Sequence, residues 1–162
     1  MSDKKIESKN EAMQLAIDSA FVGLKNKEGG PFGAAILQNG KVIAVAHNTV
    51  LKDKDPTCHS EINAIRQACK NLNTHILSGC EIYSTAEPCP MCLAAIYWAR
   101  LDKIFIGVDK SIAAKYGFDD AKFYEQILLG LERREIPIQC GILAKECEEV
   151  FSHWKEIEGV LY

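Results

Sequence analysis

Apolar and small residues recur at helical spacing through Ala12, Leu15, Ala16, Ser19, Ala20 and Val22-Gly23, predicting an amphipathic helix after Asn10 that runs to about Lys27. Gly29-Gly30-Pro31 stops it. Ala34 to Gln38 and Lys41 to Ala46 are apolar runs separated by Asn39-Gly40, a strong short-range signal for a tight antiparallel hairpin. A polar loop, Lys52 to Thr57, leads into Glu61 to Lys70, where Ile62, Ile65, Ala68 and Cys69 mark one helical face. Cys80 to Ser84 reads as a buried strand, Pro90 to Arg100 as a helix with proline at its first position, and Lys103 to Val108 as another strand. Strand, helix and strand in that order predict a right-handed parallel crossover. Further on, the pattern predicts a helix from Asp119 to Arg133, an apolar segment Ile136 to Cys140, and a last helix from about Ala144 to Ile157. Nothing in the series reads as a repeat or a long linker, so the expectation is one α/β domain over residues 1–162, a mixed sheet with helices on its faces.

Onto this frame the chain sets His59-Ser60-Glu61 and, further on, Pro88-Cys89-Pro90-Met91-Cys92. Cys89 and Cys92 stand at i and i+3, which brings both sulfurs to one side of a first helical turn, where the dipole favours thiolates. With His59 they form a three-donor set for one zinc ion per subunit. Neither a second Cys-x-x-Cys nor a His-x-x-x-His offers an obvious fourth donor, which leaves a position for water or hydroxide. Glu61, two residues past the histidine, is placed to move protons beside that water without coordinating the metal. Two plainer readings stand beside this one: a structural zinc site with a fourth protein ligand, Cys58 being the nearest candidate, and Glu61 as an ordinary first-turn acid.

Composition narrows the partners. The chain has 162 residues, is 48% hydrophobic and carries a formal charge of −3, enough apolar content for a core but little long-range attraction for a polyanion. Nucleic acid is therefore not the expected partner. Uncharged stretches such as Pro88 to Ala99 are shorter than the roughly 18 apolar residues of a membrane span, and the mixed charges of Met1-Ser2-Asp3-Lys4-Lys5 do not resemble a secretory signal. A cytoplasmic protein is expected. Seven cysteines are an odd number for a disulfide framework; Cys69, Cys80, Cys140 and Cys147 are expected to be buried, reduced thiols.

The zinc residues and their spacing resemble the cytidine and deoxycytidylate deaminase superfamily, and they are joined by Gly29-Gly30-Pro31-Phe32-Gly33-Ala34, Asp55-Pro56-Thr57, Glu87-Pro88 and Ala95-Ile96-Tyr97-Trp98-Ala99-Arg100. Gly117-Phe118-Asp119-Asp120 and Tyr162 are similar to features of its guanine deaminase branch. Ser60 departs from a common alanine, and Ala86 from a frequent serine or cysteine. The resemblance implies a cytidine deaminase-like three-layer α/β/α fold with a mixed five-stranded sheet, and hydrolysis of guanine to xanthine and ammonia with Glu61 as the catalytic acid and base. It also implies a purine site formed by Phe32, Asn48, Trp98, Asp120 and Tyr162, and a homodimer whose C-terminal segment is swapped so that it closes the other subunit's site. Read without it, Asn48 is a turn residue, Asp120 a helix-start acid, Phe32 and Trp98 core packing, and Tyr162 a frayed tail. The rival functions are a deaminase of guanosine, a triazine, cytosine or a pterin; a tRNA adenosine deaminase; and a zinc-stabilised binding module.

Overall fold

The computed structural model describes residues 5–162, so the charged start at Met1 to Lys4, on which the reading of the N-terminus partly rests, lies outside the described residues. Helix α1 (Lys9–Lys25) begins where the Ser8 side chain accepts from the Glu11 N–H, and it buries a stripe of small residues, Ala12, Ala16, Ala20 and Gly23. That stripe brings the helix close to the sheet, and a Cβ on Gly33 would collide with the Ala16 carbonyl. The hairpin of β1 (Gly33–Gln38) and β2 (Lys41–His47) turns through Asn39 and Gly40, both at positive φ (52° and 78°), as the sequence predicts.

Next come a short α2 (Val50–Asp53), α3 (Ser60–Leu72), β3 (Cys80–Ala86), α4 (Pro90–Trp98), β4 (Lys103–Val108) and a short α5 (Lys110–Lys115). Neither α2 nor α5 was visible in the apolar pattern, because four- and six-residue helices are too short to display a period. Strand order is β2-β1-β3-β4, with β1 antiparallel to β2 and β3, and β3 parallel to β4 across the α4 crossover. Alternation along the strands builds two cores. Ile36, Ile82, Ala64, Ala68 and Ile96 pack between the sheet and α3 with α4, while Ala12, Ala16, Ala35, Leu37 and Tyr83 pack under α1. Helices thus cover both faces of a mixed sheet.

Among the described residues the sheet has four strands, not the expected five. The segment 136–140, the natural candidate for the fifth, forms no ladder; backbone becomes a strand only when another strand's N–H and C=O groups meet it. Like residues 1–120, residues 121–162 form a compact unit of their own. That unit contains α6 (Ala121–Leu128), a 3-10 turn at Leu131–Arg133 and α7 (Ala144–Glu156). The single helix expected over 119–133 is therefore broken before the 3-10 turn, next to Gly130, a poor helix former. Neither α6 nor α7 contains a buried residue. Accordingly Cys140 and Cys147 are exposed, contrary to expectation, whereas Cys80 is buried and Cys69 half-buried. No described helix is long and apolar enough to cross a membrane.

Candidate metal centre

Two helix N-termini build the centre. His59 is the N-cap of α3 and Cys89 the N-cap of α4, both in extended backbone, and neither side chain caps its own helix. At most helix starts that position turns a polar side chain back onto the first N–H groups. Here both side chains remain available for another partner. Pro90 at the first position of α4 needs no hydrogen bond there, and Cys92 follows within the same turn. The loop into His59 is braced by Asp55, whose Oδ1 accepts from the Thr57 N–H at 2.8 Å and from the Thr57 hydroxyl at 2.7 Å, which holds its carboxyl below the usual range.

His59 Nδ1 lies 3.6 Å from Cys89 Sγ and 3.5 Å from Cys92 Sγ. A tetrahedral zinc with bonds of about 2.3 Å to sulfur and about 2.05 Å to nitrogen separates those atoms by about 3.6 Å. The donor set fits the ion. One ligand atom from each of His59, Cys89 and Cys92 lies within 4.8 Å of the others, and no fourth His, Cys, Asp or Glu joins the group among the described residues. Cys58 points elsewhere: its thiol meets Asp55 Oδ2 at 3.4 Å and the Arg66 guanidinium at 3.5 Å. Burial, followed by the Asp55 contact, pushes that thiol up.

The two sulfurs of the centre share a proton unequally. A hydrogen bond from Cys92, reinforced by His59 and opposed by burial, lowers Cys89 to about 4, while Cys92 is pushed up by the same hydrogen bond, by burial and by Glu61. His59 is raised, first by its contact with Cys89 and against the effect of burial. A divalent cation removes this competition, because both thiols can then ionise against its charge.

Glu61, one residue into α3, is 6% exposed. Its Oε2 accepts from the Ser60 hydroxyl at 2.8 Å and its Oε1 from the Ser84 hydroxyl of β3 at 3.2 Å. A buried carboxylate beside a metal group and held by two donors is unlike a solvated first-turn acid.

The candidate base-binding residues divide by location. Phe32 precedes β1 and Asn48 follows β2, so the antiparallel hairpin brings both to the sheet end where β3 runs into Cys89. Asn48 is buried, and its Oδ1 accepts from the Gly30 N–H at 3.2 Å and the Val50 N–H at 3.1 Å. A Cβ on Gly29 would strike this side chain. The amide oxygen is thereby occupied by two backbone donors. Asp120 lies within electrostatic reach of His59, Cys89 and Glu61; burial and then Cys89 raise its carboxyl, while His59 opposes them. Trp98 is at the far end of nine-residue α4, about 13 Å along the axis from Cys89, and is 61% exposed. Tyr162 belongs to the 121–162 unit and is exposed there.

Three contacts were missed at the sequence level. Phe118 packs edge-on against Phe32 with centroids 4.9 Å apart, and both line an apolar cavity of about 450 Å³ together with Pro31, Thr85, Ala86 and Val108. Phe118 was visible only as part of a motif. Ser60 was noted as a departure without a partner, and Ser84 gave no signal, because period-2 alternation does not reveal what lies across the layer.

Residues 6–108 match the family model of the cytidine and deoxycytidylate deaminase zinc-binding region. The guanine deaminase of Bacillus subtilis (strain 168) is 45% identical over 143 residues, 88% of this chain and 91% of that protein. A tRNA-specific adenosine deaminase of Aquifex aeolicus (strain VF5) is 51% identical over 81 residues, but these make up 49% of this chain and 54% of the other. The X-ray structure of guanine deaminase from Bacillus subtilis superimposes with a TM-score of 0.88 at 39% identity, covering 93% of this chain and 95% of that one.

Proposed function

This chain belongs to the cytidine and deoxycytidylate deaminase family, and on that premise we propose that it hydrolyses guanine to xanthine and ammonia. The observation that carries the reading is a buried glutamate beside a three-donor metal group that lacks a fourth protein ligand among the described residues. His59, Cys89 and Cys92 would hold a zinc ion, whose Lewis acidity would bring the pKa of a water down to roughly 7. Glu61 takes a proton from the water, passes it to a ring nitrogen, and helps to return one to the amino nitrogen as its bond to C2 breaks. One C–N bond is exchanged for a C=O, and ammonia leaves.

The base is recognised by opposed groups. The Asn48 NH2 donates to an acceptor on the purine edge, and Asp120 accepts from guanine N–H groups through a charge-assisted bond. Adenine lacks the N1–H of guanine and so pairs less well with that carboxylate. Phe32 meets the flat ring, with Phe118 behind it. The test is product identification with guanine, guanosine, adenine and cytosine. Xanthine from guanine is expected, and preferential release of ammonia from adenine or cytosine overturns the assignment.

The working form in this reading is a domain-swapped homodimer in the cytoplasm, where the free thiols stay reduced. Several observations support exchange of the C-terminal unit. Ile104, Ile106 and Val108 of edge strand β4 are exposed, segment 136–140 pairs with no strand, and Val150, Phe151 and Trp154 of α7 are uncovered. Trp98, at the end of α4 remote from Cys89, serves with Tyr162 the site of a second subunit in this reading. Light scattering tests the dimer, and a monomer with full turnover excludes it.

A further inference from the structure

Ser60 and Ser84 come from different layers, one opening α3 and the other in the middle of β3, yet their hydroxyls converge on a single carboxylate. Ser60 is 0% exposed and Ser84 1%, so water does not compete for either donor. Ser84 sits between Ala34 of β1 and Ile106 of β4, a position the ladders on both sides hold fixed. The terminal torsion of a glutamate is broad and nearly two-fold, and packing alone sets it weakly. One donor on each oxygen sets it firmly.

We infer that Ser60 and Ser84 are positioning residues that hold the Glu61 carboxylate plane, leaving its unshared lone pairs directed at the reacting water and base. This rests on the deaminase reading. A group that must accept and return protons in succession needs its lone pairs aimed throughout, so loss of aim reduces the rate of the chemical steps and leaves ground-state binding intact. Ordinary satisfaction of buried hydroxyls would require only that each serine find some acceptor. It would not require both to select the same carboxylate, one at each oxygen.

The test uses full-length, zinc-loaded protein and two independent readouts. In steady-state turnover of guanine, Ser60→Ala and Ser84→Ala should each lower kcat about tenfold with KM within about twofold and zinc content unchanged. Ser60→Cys, close in volume with a weaker donor, should fall between wild type and Ser60→Ala. In thermal unfolding, Ser60→Ala should lower Tm by about 3 °C in the wild type but by less than about 1 °C in a Glu61→Ala background, where the hydroxyl has already lost its acceptor. Equal Tm losses in the two backgrounds, or alanine variants with kcat within twofold of wild type, overturn the inference. If wild type does not turn over guanine, the assigned reaction fails while the unfolding cycle, run in the same way with Ser84→Ala, still decides whether each serine holds Glu61.

Discussion

Helices α3 and α7 are each thirteen residues long and each is amphipathic, but they end in opposite situations. α3 buries Ser60, Glu61, Ala64 and Ala68, the two alanines packing with the sheet core. α7 buries nothing and presents Val150, Phe151 and Trp154 to solvent. An apolar stripe therefore states that a helix face requires cover and leaves open what covers it. Small residues bring α3 down onto the strands so that its first turn lies against β3. Large exposed ones leave α7 with an uncovered apolar face.

The two helices differ most at Glu61, buried in the first turn of α3. Glu61→Gln should reduce guanine turnover by about a thousandfold or more while zinc content, read by metal analysis, stays near one per chain. Retained turnover would mean that the α3 N-terminus does not carry the proton transfers. Removing residues 158–162 tests the other region: if these residues close a partner's site as proposed, turnover should fall by about tenfold, again with zinc retained. An unimpaired truncation would reduce the C-terminal unit to a packing element.

Paired substitutions on the two helices sharpen the contrast. Ala64→Leu forces a larger side chain into a fully buried position of α3 and should cost about 1–3 kcal/mol, visible as a lowered Tm. Phe151→Glu on α7 should leave the chain folded and shift light scattering from dimer to monomer. If Phe151→Glu instead unfolds the protein, α7 is covered within its own chain.

A smaller effect is expected at Glu28, which pairs with His47 and Lys52. Glu28 accepts from His47 Nε2 at 2.6 Å and from Lys52 at 3.1 Å, and these partners, His47 first, hold its carboxyl below the ordinary 4.5. A depressed carboxylate contributes stability that is fully present above its unfolded pKa and is lost as pH falls through the folded value. Unfolding titrations should therefore show a loss beginning below about pH 4.5, with a shallower slope in Glu28→Gln. An identical slope in that variant would remove Glu28 from the acid response.

Much of the catalytic unit was legible because its signals are local. Asn39-Gly40 fixes a hairpin through two positive φ angles, and Cys89-Pro90-Met91-Cys92 sets two sulfurs on one helical turn whatever surrounds it. Spacing of this kind is a property of the backbone, so local sequence is enough to set the three-donor group, the acid two residues past His59, the hairpin and the parallel crossover. Contacts across layers have no such period. Three-dimensional packing brings Ser60 and Ser84 together on Glu61, occupies the Asn48 oxygen with backbone donors, and turns Cys58 to Asp55 and Arg66. It also decided that 136–140 is not a strand within this chain and that Cys140 and Cys147 are exposed. The reason is the same in each case: a side chain's partner, or a strand's neighbour, is chosen by the packing of segments distant in sequence, and a pattern of apolar positions records the demand for burial without naming what supplies it.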